Sequence, residues 1–246
     1  MQDPELVHYL PILTTLFSAA FVAALVRRAI PRHWPPHLLW WGIGVSAYGL
    51  GTLLESSITL FGNSPALNRW WYWAGAILGG YPLATGTVYL LLRRKTAHVL
   101  TAISLTLVLV ATVAVFISPL NLDALLPYKP EGAVIGWMWV RLTTPFINGY
   151  AALFLIGGAF YSSFHFVRSG GQRNRAIGTA LIAVGGILPG VGGSMAKAGI
   201  VEALYVGEFL GIILIWIGYE FCIRRTNPVA AYLAEETPAA QPRVEA

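Results

Sequence analysis

Charge is what this chain has least of. Only 11% of its 246 residues are Asp, Glu, Lys or Arg, against about a quarter in soluble domains. Hydrophobic residues make up 56%, and the mean hydropathy is +0.64. That balance excludes an ordinary soluble domain and places the chain in the membrane class. Cysteine is nearly absent: Cys222 alone can form neither an internal disulfide nor a cysteine-based metal site. No H-E-x-x-H pair, Gly-Lys-Ser/Thr phosphate loop, G-x-S-x-G elbow or Cys-His arrangement occurs. Ser56, Ser57, Ser162, Ser163 and Ser194 have no evident base. Neither a catalytic residue nor a metal ligand is therefore assigned, and an enzyme is not expected. The N-terminus has no basic start and no small-residue cleavage site, so Leu6 onward is expected to be a retained first span.

What is present is a series of seven apolar runs: Leu6–Val26, Leu38–Phe61, Arg69–Leu92, His98–Ser118, Val140–Val167, Ala176–Gly199 and Ile200–Ile223. Each is near the roughly 20 residues a helix needs to cross a bilayer. They predict an all-α, seven-helix transmembrane domain over residues 1–226, with a disordered cytoplasmic tail over 227–246. The last two runs nearly touch, so a tight turn is expected near Ala198-Gly199-Ile200. The net charge of +5 and isoelectric point near 9.5 do not signal nucleic acid. Twelve of the sixteen Lys and Arg fall in alternate connections: Arg27, Arg28, Arg32; Arg93, Arg94, Lys95; Arg168, Arg173, Arg175; and Arg224, Arg225, Arg243. The positive-inside rule then sets the N-terminus outside and the C-terminus in the cytoplasm, as in a bacterial-type cytoplasmic membrane.

Ionisable residues within spans are functional candidates, because hydrocarbon demands a partner for each. Glu55, Arg69, Arg141, Lys197, Glu202 and Glu208 all fall in the outer half or at its rim. Tyr48, Thr52 and Glu55 share one helix face at i, i+4, i+7, as do Arg141, Pro145 and Asn148; Tyr205 and Glu208 share another. The simplest arrangement has Glu55 and Glu208 facing inward beneath an outward-opening polar vestibule, paired with Arg141, Lys197 or Arg69. Tyr48, Tyr81, Tyr205 and Asn148 complete the expected ligand-binding set. The competing reading is that these charges only reach the headgroups or lock helices together.

Glycine and proline mark packing or hinge positions. Gly186, Gly190, Gly193 and Lys197 form a stripe in the sixth run, open to a close neighbour or a ligand. Pro189 there and Pro82 in the third run are expected to kink their helices. Sliding the third run by 132 residues onto the seventh matches Gly75 to Gly207 and Gly79 to Gly211, consistent with an internal repeat of three helices, a linker helix and three more. Trp70-Trp71-Tyr72-Trp73 and Trp137-Met138-Trp139 are expected as interfacial belts, with Trp34, Trp40 and Trp41 serving likewise on the inner side. The loop from Pro119 to Trp139 is expected to lie on the membrane surface. His33, His37, His98 and His165 gather near the inner boundary and leave haem open as a cofactor.

Two likenesses follow from these residues. Seven spans with an outer N-terminus invite comparison with microbial rhodopsins, whose retinal needs a lysine in the middle of the seventh helix; Ile213 to Trp216 occupy that place, so retinal is not expected. The pattern Trp41-x6-Tyr48-x6-Glu55, an aromatic start to the third run and Tyr81-Pro82 within it resembles the seven-helix N-terminal sensor region of some bacterial histidine kinases, mainly over residues 38–95. No kinase sequence follows Arg225, so the resemblance implies a ligand-sensing bundle that reports through a cytoplasmic or membrane partner. The three-one-three plan is also similar to small sugar and amino-acid carriers, without their Pro-Gln signature. The expectation is thus a small-ligand sensor or receptor-like module. A small-solute facilitator or proton-coupled carrier is the alternative, and a structural subunit of a membrane complex is the third reading.

Overall fold

The computed structural model describes residues 6–170 and 172–224. The expected tail over 227–246 lies outside them, as does the Lys197 side chain. A single 3₁₀ turn, Leu6–Tyr9, leads into α1 (Leu10–Ala29), followed by α2 (Pro36–Phe61). A third column is built from α3 (Pro65–Trp71), a π-helical stretch Tyr72–Leu78, and α4 (Tyr81–Leu91). Then come α5 (Arg94–Ile117), a fifth column of α6 (Met138–Ala151), a second π-helical stretch Ala152–Gly157 and α7 (Gly158–Ser169), and finally α8 (Arg173–Lys197) and α9 (Val201–Ile223). No strand occurs among the described residues.

Local chemistry sets the ends. Proline stands in the first turn of α1, α2, α3 and α4, where its missing N–H has no helical partner to lose. Ser64 Oγ accepts from Leu67 N at 3.2 Å and caps α3. Gly199 adopts φ +100° between α8 and α9, which makes the expected tight turn.

Six columns are long and apolar enough to cross a membrane: Leu6–Arg32, Pro65–Leu91, Arg94–Ile117, Met138–Ser169, Arg173–Ala196 and Val201–Ile223. The exterior agrees. On α5, Val99, Ile103, Val110, Val113 and Ile117 are all more than half exposed, an apolar surface suited to lipid rather than water. The remaining helix, α2, has 26 residues, about 39 Å at 1.5 Å per residue. Its polar residues are turned inward, with Thr52, Glu55, Ser56 and Thr59 all buried. α2 sits between α1 on one side and α3, the first π-helical stretch and α4 on the other, with α9 completing the group through α1.

Several expectations are corrected here. Pro82 does not kink a continuous helix; the column breaks at Gly79-Gly80 and Pro82 opens α4. A Cβ on Gly79 would strike the Gly75 carbonyl of its own π-helical turn, so Gly79 permits the break. Gly75 instead faces Gly51 of α2, whereas Gly207 and Gly211 lie on the backbone of α8. The matched glycines thus do different work in the two halves of the supposed repeat. Pro189 remains inside continuous α8, its ring against Gly211.

The sixth-run stripe is corrected as well. Gly186 packs on Ile156 and Leu155, but Gly190 and Gly193 have nothing within 4 Å. The face of α8 that meets α9 carries Gly178, Gly185 and Gly192, which approach Gly218, Gly211 and the Ala203-Leu204 backbone. That spacing of seven keeps one seam against a neighbour. The Pro119–Trp139 loop does not lie flat. Val134 and Ile135 are fully buried, and Asn68 in α3 holds Glu131 by two main-chain hydrogen bonds, Nδ2 to O at 2.8 Å and N to Oδ1 at 2.9 Å.

Candidate functional site: a buried carboxyl pair

The end of the bundle that carries His8, the 61–65 turn and Gly199 gathers the polar residues of α1, α2, α3 and α9. Glu55 is 2% exposed, and its carboxyl group neighbours that of Glu208, which is half-buried. Both face inward, as the sequence suggests, but they meet each other. Trp71 Nε1 donates to Glu55 Oε1 at 2.7 Å. The Oε2 atoms of Glu55 and Glu208 are both enclosed without a partner among the described residues. Two neighbouring carboxylates away from water strongly disfavour double ionisation.

The surrounding side chains tie four elements to this pair. Tyr48 OH donates to the Glu208 main-chain carbonyl at 2.8 Å, fixing α2 to α9. Thr52 and Thr15 share a hydroxyl–hydroxyl bond of 2.9 Å between α2 and α1. Tyr205, 1% exposed, stands edge-on to His8 at 5.8 Å, and His8 Nε2 lies 3.8 Å from Glu202 Oε1. Tyr48, Thr52 and Glu55 work as one face because i, i+4, i+7 residues stack along a helix.

Two of the three expected cationic partners are elsewhere. Arg69 donates Nη1 to the Phe116 carbonyl and Nη2 to the Ser118 carbonyl at 2.7 Å, capping α5. Arg141 makes no ion pair among the described residues and lies near Tyr72. Asn148 is exposed on α6, which packs on α4, α5 and the π-helical stretches rather than on α2 or α9. Tyr81 is buried in a separate cluster, bonding Ser104 Oγ at 3.0 Å, edge-on to Trp40 and tilted against Tyr150. Among the described residues, one hollow is a shallow groove on α8 bordered by Ile156, Ile187 and Gly190, and another is a cleft at the basic end between His37, Tyr89 and Arg94. Neither is bordered by Glu55, which is buried, or by Glu208, which is half-buried.

Sequence reasoning missed Trp71, Thr15 and His8. Trp71 looked like one more belt residue, and the π-helical turn beginning at Tyr72 is what sends neighbours apart: Tyr72 OH bonds Thr144 at 2.8 Å, and Trp73 Nε1 donates to Thr112 at 3.1 Å. Only Trp70, 46% exposed, keeps the surface position expected of that run. Trp41, 5% exposed, is likewise core rather than belt. Among the described residues no three His, Cys, Asp or Glu side chains converge on one point. No protein-family model, curated protein or solved structure matches the chain.

Proposed function

We propose that the chain is a seven-span integral membrane protein, N-terminus outside, acting as a sensor or receptor-like module whose responsive site is the Glu55–Glu208 pair. The observation that carries this reading is buried Glu55 beside half-buried Glu208, with one donor from Trp71 to Glu55 and on each an enclosed oxygen that has no partner among the described residues. Such a pair takes a proton or a small cation and holds a different charge with and without it. Tyr48 binds the Glu208 backbone, so a change of charge at the pair bears directly on the α2–α9 contact. The glycine seam holds α8 to α9, which supports movement of this hairpin as one body toward the basic end. The resemblance of residues 38–95 to kinase-linked sensor regions points the same way, with a partner protein receiving the signal. The membrane implied is a cytoplasmic membrane of bacterial type.

A carrier is the second reading, favoured by the break at Gly79-Gly80, since interrupted helices serve transport sites. One experiment separates the two. A fluorophore on Arg224→Cys in a Cys222→Ser background is followed in vesicles while protons, sodium and methylammonium are added outside in turn. The sensor reading expects a signal change with one of them, lost in Glu55→Gln, without entry of that cation into the vesicle. Entry that depends on Glu55 supports the carrier, and silence toward all three contradicts both.

A further inference from the structure

Beside the carboxyl pair stands a second titratable pair that the proposed site leaves unused. His8 and Glu202 approach to 3.8 Å, with side-chain exposures of 20% and 42%. Glu202, Tyr205 and Glu208 recur every three residues on α9, so Glu202 lies about 9 Å along the axis from Glu208, with Tyr205 between them. Exposure falls inward, from 42% on the Glu202 side chain through half-buried Glu208 to Glu55 and Tyr205 at 2% and 1%. His8 Nδ1, Glu55 Oε2 and Glu208 Oε2 are three enclosed polar atoms without partners among the described residues. An unmet buried donor or acceptor costs about 1–3 kcal/mol, and three within one small cluster mark groups that exchange a partner.

Resting on the carboxyl-pair reading, we infer that the ligand of this site is the proton, and that His8 with Glu202 delivers it from the outer solution to Glu55 and Glu208. Histidine is the side chain suited to this, being neutral or cationic within the ordinary range of pH. The balance is simple. Solvent gives one proton to the imidazole, the imidazolium passes one proton inward past Tyr205, whose hydroxyl can both accept and donate, and a carboxylate of the pair receives it. The pair goes from one negative charge to none, His8 returns to neutral, and no other bond changes. The titratable groups that face one another here are Tyr48 and Glu55 from α2, Glu202, Tyr205 and Glu208 from α9, and His8 from the N-terminal turn. α1 and α3 contribute the uncharged Thr15 and Trp71. A proton needs no cavity, which agrees with the burial of Glu55 and of the Glu208 Oε2 atom.

The test is infrared spectroscopy of the full chain in lipid vesicles. A protonated buried carboxyl group gives a C=O band that shifts when its proton is replaced by deuterium. The band is expected in the unaltered protein, shifted in Trp71→Phe and absent from the double variant Glu55→Gln/Glu208→Gln. On transfer to D2O, exchange is expected to slow about tenfold or more in His8→Gln and in Glu202→Gln, with His98→Gln at the opposite end unchanged. If the band is present and Trp71-sensitive but exchanges equally fast in all three single variants, delivery through His8 is overturned and the carboxyl pair stands. If no such band is found at any pH where the helices remain folded, the pair reading itself falls. Should the double variant not fold, the Trp71→Phe shift still assigns the band.

Discussion

Replacing Gly185 by alanine is the sharpest probe of how this bundle is packed. A Cβ built there would lie 2.7 Å from Gly211 O, 2.9 Å from Ile215 Cγ1 and 3.0 Å from Ile215 N. Ordinary carbon–oxygen approach is about 3.3–3.6 Å, so the backbones of α8 and α9 must part by roughly half an ångström or more. Overpacking of this kind costs about 1–3 kcal/mol. The better helix propensity of alanine returns about 0.8–1.0 kcal/mol, which leaves a net loss of about 1 kcal/mol. Gly178→Ala and Gly218→Ala are expected to lose more, because each Cβ would meet the other's carbonyl oxygen at 2.5 Å. Gly190→Ala is the control. It has nothing within 4 Å, so it is expected to be neutral or to gain up to about 1 kcal/mol. Unfolding in mixed micelles by stepwise addition of dodecyl sulfate, followed by circular dichroism, reads the difference. If Gly190→Ala is the more damaging of the two, the seam lies on the other face of α8 and the reasoning is wrong.

Three further outcomes are expected. Trp71→Phe leaves Glu55 Oε1 without its donor and is expected to lower stability by about 1–3 kcal/mol, checked in the same unfolding assay; no change would mean the indole bond carries nothing. Asn68→Ala removes both bonds to the Glu131 main chain, so limited proteolysis should cut the 118–137 loop several-fold faster while the helices stay intact. Combining Thr15→Val with Thr52→Val in a double-mutant cycle is expected to give a coupling near 0.6 kcal/mol, the average for interhelical bonds in a membrane protein, and a coupling of zero would remove the α1–α2 hydroxyl bond from the account.

The apolar helices were legible because a segment suited to hydrocarbon must satisfy its backbone internally, and the runs ending near Ser118 and Ile223 mark that demand plainly. Glu55 facing inward was legible from its helical spacing with Tyr48 and Thr52. Its partner was not, because charge complementarity favours Arg141 or Lys197 on paper, while the fold assigns Arg69 to the end of α5 and sets Arg141 with Tyr72. The π-helical stretches at Tyr72–Leu78 and Ala152–Gly157 have no composition of their own. Without the first, Trp71 could not be told from Trp70 or Trp73. Two glycine stripes run along α8, one at 186, 190 and 193 and one at 178, 185 and 192. Both satisfy the rule for close approach, and only the path of α9 decides between them.

The contact between positions 55 and 208 is the claim from which the site, the proposed function and the proton route all descend. It is measured by placing cysteines at Glu55 and Glu208 in a Cys222→Ser background and treating membranes with a short thiol-to-thiol crosslinker. The account predicts ready linkage of 55 to 208 and none of 55 to a cysteine at Arg141; linkage to 141 with none to 208 would contradict it.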